Sequence, residues 1–187
     1  MPEAPTEVTS LLSAVGNGDA GAADRLMRVV YDELHQIAHA RMAEEGRRGD
    51  LQTTVVVHEA YLRLMGGNGS AMPQNRQQFF GFAANAMRQF LVDHARKRGR
   101  QKRGGGRSAA ELLDRAATVD DDPSDLLAVD EALSKLAERD PKKAKLVELR
   151  FFAGLRLDDV AEAMGVSPRQ IDQEWAFASA WLRRELS

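Results

Sequence analysis

The stretch from Leu157 to Leu186 leaves the chain little structural freedom, because it spells two helices joined by a turn too tight for anything but a helix-turn-helix. Leu157, Val160, Ala161 and Met164 recur at helical spacing on one face, and Gly165-Val166 interrupts the run. Ser167-Pro168-Arg169-Gln170 then opens the second helix. Ser167 supplies an N-cap oxygen, Pro168 has no N–H to lose at the first helical position, and Gln170 completes a capping box. Ile171, Trp175, Ala178 and Leu182 form the buried stripe of this helix, while Arg169, Asp172, Gln173 and Arg183 lie on the other face. Such polar side chains suit a major groove. A small helical bundle that touches no nucleic acid is the alternative.

The same period runs upstream. Thr9 to Val15 reads as a short helix ended by Gly16-Asn17-Gly18, and Asp19 caps the next, whose stripe is Leu26, Val29, Val30, Leu34, Ile37 and Met42. A third helix opens at Thr53 or Thr54, with Val56, Val57, Ala60, Leu62 and Leu64 apolar, and stops at the glycine-rich loop from Gly66 to Ser70. The longest spans about Asn75 to Arg98, apolar through Phe79, Phe80, Phe82, Ala83, Ala86, Met87, Phe90 and Leu91. From Gly99 to Pro123 no hydrophobic period survives, so this segment reads as a flexible linker with room for one short helical turn. Beyond it, Ser124 is the expected cap of a helix striped by Leu126, Leu127, Val129, Leu133 and Leu136. Asp140-Pro141 starts another, carrying Leu146, Val147, Leu149, Phe151 and Phe152 and ending at Gly154. No strand pattern occurs. The expected fold is therefore all-α, with two small helical domains over 1–98 and 123–187 and a flexible linker over 99–122.

Length and composition agree with that division: 187 residues, 43% hydrophobic, can bury one modest core or two small ones. With no cysteine, disulfides and thiolate chemistry are excluded. No apolar run reaches the length of a signal peptide core or a membrane span, so a cytoplasmic protein with no membrane partner is expected. The net charge of -2 conceals strong segregation. Gly81 to Arg107 holds eight Lys/Arg against one acid, a net +7, and Ser108 to Asp140 holds ten acids against three Lys/Arg, a net -7. One consequence to test is that acids between Glu111 and Asp125 fold over the cations from Arg96 to Arg107 and mask them from DNA.

On the longest helix, Asn85, Arg88, Gln89, Asp93, His94, Arg96 and Lys97 supply amides and guanidinium groups able to read base edges, and a cationic end able to neutralise phosphates. A solvated terminus that complements the helix dipole is the alternative. Phe79, Phe80 and Phe82 can stack on unpaired bases, but core is favoured for at least two of them. Enzyme-like hints fail. His58-Glu59 lacks a second histidine at Leu62, His35 and His39 have no evident third ligand, and Gly104-Gly105-Gly106 neither follows a strand nor precedes Gly-Lys-Ser/Thr. No catalytic constellation, metal site or cofactor site is found, and an enzyme is not expected.

Four segments in order carry a resemblance over nearly the whole chain. They are Val57-His58-Glu59-Ala60-Tyr61-Leu62-Arg63-Leu64, then Phe79 to Arg88 (FFGFAANAMR), continuing through Leu91-Val92-Asp93-His94-Ala95-Arg96 to Lys102-Arg103-Gly104-Gly105, then Val147 to Leu155 (VELRFFAGL), and the terminal helix-turn-helix. Together these resemble the extracytoplasmic-function sigma factors of bacterial RNA polymerase. The resemblance implies an alternative sigma factor that binds core RNA polymerase, recognises the minus-35 and minus-10 promoter elements and promotes melting. Thr54, His58, Glu59, Tyr61 and Leu62 would dock on the clamp helices of the beta-prime subunit, with the beta subunit a further contact. Asn85, Arg88, Gln89, Asp93, His94, Arg96 and Lys97 would read the minus-10 element, and the loop from Gly66 to Asn75 would hold an extruded base. Ser167, Arg169, Gln170, Asp172 and Gln173 fall where the family reads the minus-35 element.

Two departures stand out. Relatives usually carry basic residues in place of Asp172 and Gln173, which puts promoter choice in doubt. Many carry acids where this chain has Thr53-Thr54-Val55. Phosphorylation of Thr54 would restore negative charge at that helix start, which makes a Ser/Thr kinase, besides an anti-sigma factor, a candidate regulatory partner. Simple N-capping by the threonine is the alternative. Two further readings remain for the whole chain: a DNA-binding regulator that acts without polymerase, and a protein-interaction module that keeps only the docking face.

Overall fold

The computed structural model describes residues 7–19, 21–31, 58, 73–99, 109–114 and 122–187, and all regular structure among them is helical. α1 spans Glu7–Gly16 and buries Val8 and Leu12. α2 follows over 21–31, started by Asp19, whose Oδ1 accepts from the amides of Gly21 (2.9 Å) and Ala22 (3.2 Å). Ala22, Leu26 and Val30 form its inner face.

α3, Arg76–Gly99, is the longest element. Asn75 caps it by accepting from the Gln78 amide at 2.8 Å. Phe79 and Phe80 are buried edge to face with ring centroids 5.6 Å apart, and Phe82 and Phe90 are partly buried. The core reading of at least two of Phe79, Phe80 and Phe82 therefore holds.

The turn anticipated between Gly99 and Pro123 is α4, Ala109–Leu112. The residue that follows it, Leu113, is fully buried, and Ala109 is buried as well. α5 spans Pro123–Arg139. Its cap is Asp122 rather than the expected Ser124: the Asp122 carboxylate accepts from the Ser124 amide at 2.9 Å, and Pro123 takes the first helical position. Asp140 both ends α5 and starts α6, Pro141–Val147, accepting from the Lys143 amide at 3.0 Å.

A π-helical turn over Glu148–Phe152 continues α6 without a break. The Ala153 amide donates to the Glu148 carbonyl five residues back at 3.2 Å. Glu148, Leu149, Phe151 and Phe152 of this turn are buried, and Arg150 between them is partly exposed. α7, Leu157–Met164, ends on Gly165 in the left-handed region (φ 66°). α8, Pro168–Glu185, begins with Ser167 Oγ accepting from the Gln170 amide at 3.2 Å.

The helices share a continuous apolar core that takes residues from α1, α2, α3 and every C-terminal helix. α3 lies across the C-terminal half and packs on α5, the π turn and α7. Among the described residues, no helix is long and apolar enough to cross a membrane.

Candidate nucleic-acid interface

The first turns of α8 present Ser167, Arg169, Gln170, Asp172 and Gln173, and all five are exposed. The same helix anchors itself by Ile171, Ala178 and Leu182, each at most 1% exposed, with Trp175 packed against the core. Orientation is fixed from both sides: the Ser167 cap sets the start of the helix, and Gly165 closes the turn behind it with a backbone that only glycine adopts without strain. The result is a helix start with exposed polar side chains on one side and a buried apolar face on the other, a shape that a major groove can accept.

α3 carries a second polar face. Asn85, Gln89, Asp93, Arg96 and Lys97 are exposed, and the 85, 89, 93 and 96 positions lie one above another along the helix. Gln89 Nε2 donates to Asn85 Oδ1 at 2.8 Å, and Arg96 stands 3.7 Å from Asp93. His94 is partly buried beside Phe90, with ring centroids 6.2 Å apart.

Arg88 departs from this group. Its side chain is only 17% exposed and points at the C-terminal half. Nε donates to Asp130 Oδ1 at 2.6 Å, Nη1 to Glu148 Oε1 at 3.2 Å, and Nη2 to Ser134 Oγ at 2.8 Å and the Asp130 carbonyl at 3.1 Å. Its guanidinium carbon also lies 5.9 Å from the Phe152 ring centroid. Glu148, the one buried acid among the described residues, joins a second cation: Lys145 Nζ donates to it at 3.0 Å and to the Gly81 carbonyl of α3 at 2.7 Å. Residue type singles out Arg88 in the sequence, whereas its partners are distant along the chain and carry no motif. The one available signal is an acid set inside the apolar run from Leu146 to Phe152.

On the far side of the C-terminal helices, Leu136, Arg139, Lys143, Phe177, Trp181 and Arg184 line a groove. Phe177 is 58% exposed, and Lys143 Nζ sits 5.1 Å from its ring centroid. Hydrogen bonds to Asp140 and Glu174 hold the Lys143 ammonium above its ordinary pKa, and the same contact with Lys143 lowers that of Asp140. Arg150, partly buried between the Leu155 carbonyl (3.3 Å) and the Trp175 ring, is pushed below the usual guanidinium range by desolvation.

Thr54, Glu59, Tyr61 and Leu62, expected to dock on polymerase, lie outside the described residues, as does most of the loop from Gly66 to Asn75. His58 is helical and exposed. Residues 115–121 of the masking segment and most of the cations opposite it also lie outside; of the described acids, Asp114 pairs with Arg183 of α8 and Asp122 caps α5. No group of three His, Asp or Glu residues suited to a metal ion occurs among the described residues.

A family model described as ECF sigma factor matches residues 5–187. No curated protein and no solved structure matches the chain.

Proposed function

The chain belongs to the ECF sigma factor family, and from that premise, which gives it an alternative sigma role in transcription initiation, we propose how its two polar helix faces divide the task. The start of α8 reads the minus-35 element in the major groove. Arg169 suits guanine, Gln170 and Gln173 suit adenine, and Asp172 accepts from the cytosine amino group, so the acidic and amide residues at these positions shift base preference rather than abolish reading. The exposed face of α3 reads the minus-10 element. Asn85, Gln89, Asp93 and His94 take base edges, Arg96 and Lys97 neutralise phosphates, and Arg88 joins them when the chain is engaged.

Core RNA polymerase holds the chain through the segment containing Thr54, His58, Glu59, Tyr61 and Leu62. The protein breaks no bond; binding energy from captured unpaired bases offsets the cost of opening the duplex, a few kcal/mol per step.

The observation that carries this reading is the pairing of two exposed polar faces, on α3 and α8, with buried apolar faces on the same helices. Each reader is thereby aimed by the core instead of by a loop. Gel filtration of the chain with sigma-free core polymerase and promoter-containing DNA tests it. One complex containing all three, with footprints on two separated DNA segments, is expected. Tight sequence-specific binding to DNA alone, with no co-elution with polymerase, would instead identify a free-standing regulator.

A further inference from the structure

We propose that Lys143 is a positioning residue for minus-35 reading: through Glu174 it fixes how far α8 is rolled about its own axis, and so where Arg169, Gln170, Asp172 and Gln173 meet the bases. This rests on the reading of the α8 start as a groove reader. Lys143 belongs to α6, and its side chain is only 18% exposed. Its Nζ donates to Asp140 Oδ2 at 2.6 Å and stands 2.7 Å from Glu174 Oε2, with the Phe177 ring centroid 5.1 Å away. Asp140 is itself held in place at the corner between two helices. Its amide donates to the Leu136 carbonyl of α5 at 2.7 Å, and its carboxylate accepts from the Lys143 amide at 3.0 Å. The ammonium thus ties Glu174 of α8 to a fixed point of the scaffold.

The buried positions of α8 are Ile171, Ala178, Ser179 and Leu182, so the middle of its inner face is two small side chains. A surface that smooth offers few ridges to resist rotation about the helix axis. Arg150 meets Trp175 on the core side, 5.7 Å from its ring centroid. Glu174 is the handle at the other edge: at about 100° per residue it falls between buried Ile171 and exposed Gln173 around the helix. The ion pairs at the far end of α8, Lys135 with Glu185 and Arg183 with Asp114, are 31% to 67% exposed, against 18% and 36% for Lys143 and Glu174. Screening by water leaves the outer pairs the weaker restraint. A roll of about 20° carries a side-chain tip, about 5–6 Å from the axis, through about 2 Å. That is several times the spread of roughly 0.5 Å within which an amide or guanidinium bonds a base edge. Contacts to phosphate position the protein without reading sequence. Lys143 should therefore govern discrimination between sequences more than affinity for DNA as such.

The test uses the full chain loaded on sigma-free core polymerase. A random duplex DNA library is bound by the wild-type assembly and sequenced, and the enriched upstream motif is built into one duplex, with a second duplex carrying the same bases scrambled. Affinity for the two is then measured for each variant. Lys143→Met and Glu174→Met cut the tie from its two ends and change the net charge in opposite senses. Lys142→Met removes an exposed neighbouring cation and matches Lys143→Met in charge. Lys143→Arg keeps a cation at the position. Circular dichroism shows that each variant is folded at the assay temperature.

Lys143→Met and Glu174→Met should each lower the ratio of motif to scrambled affinity by roughly fivefold or more, despite their opposite charges. Lys143→Arg should stay within about twofold of the wild type, and Lys142→Met should leave the ratio unchanged. The double variant should lose no more than the worse single one, because both substitutions cut the same tie. If Lys143→Met does not fold, Glu174→Met decides alone. An unchanged ratio in Glu174→Met, or losses that multiply in the double variant, overturns the role of Lys143 and leaves the reading of α8 standing. A wild type that enriches no upstream motif overturns the reading of α8 itself, and this role with it.

Discussion

Arg88 and Arg169 are the same side chain in opposite circumstances. Arg169 is exposed at the start of α8, and Arg88 is tied into a network reaching 42 and 60 residues along the chain. Arg169 should therefore behave as a plain base reader. Arg169→Ala should cost about 1–3 kcal/mol of promoter binding by the holoenzyme and relax preference at one base position, with other positions unchanged. Competition binding with single-base promoter variants measures this; a uniform loss over all variants would show that Arg169 only touches phosphate. At this scale the sequence tells which side chains can contact DNA, because amide and guanidinium chemistry travels with residue type. It does not tell which are free to do so, since Asp130, Ser134 and Glu148 meet Arg88 only through tertiary packing.

Helix boundaries were legible wherever a cap is local. Ser167-Pro168 and Asp140-Pro141 start α8 and α6 as their spacing predicts, and α3 begins within a residue of its expected start. Ser124 was a less faithful guide: Asp122 lies before Pro123, and its carboxylate reaches the Ser124 amide first. The π turn could not be read from periodicity, because an apolar run that buries on all sides has no single period. Asp140 concentrates two element boundaries in one side chain, so Asp140→Ala should destabilise the chain by about 1 kcal/mol in urea unfolding.

The Lys143 contact adds a pH signature. Since it lowers the Asp140 pKa from the ordinary 3.8, the stabilisation is fully present above that value and is lost as pH falls through the lower folded value. The difference between wild type and Asp140→Asn should thus be constant near neutrality and shrink only below about pH 4. A difference that grew on acidification would contradict this assignment.

Across the whole molecule, an all-helical architecture follows from the 3.6-residue period throughout, and the described residues are helical as expected. The arrangement of the halves was not legible, because the sequence between them, rich in glycine and charge, has no apolar pattern that predicts it, while contacts such as Arg88 with Asp130 and Lys145 with the Gly81 carbonyl join residues far apart in the chain. Shared burial makes a cooperative prediction. Both tryptophans, Trp175 and Trp181, lie on α8 and report the C-terminal half alone, whereas circular dichroism at 222 nm reports every helix. In urea the two signals should change together. Separated midpoints would show that the halves unfold independently.

The most direct measurement of the central claim is to add the purified chain to sigma-free core polymerase with genomic DNA and to map the 5′ ends of the RNA made. Discrete start sites, sharing two conserved upstream segments and absent when the chain is omitted, are predicted. RNA no different from that of core polymerase alone would contradict it.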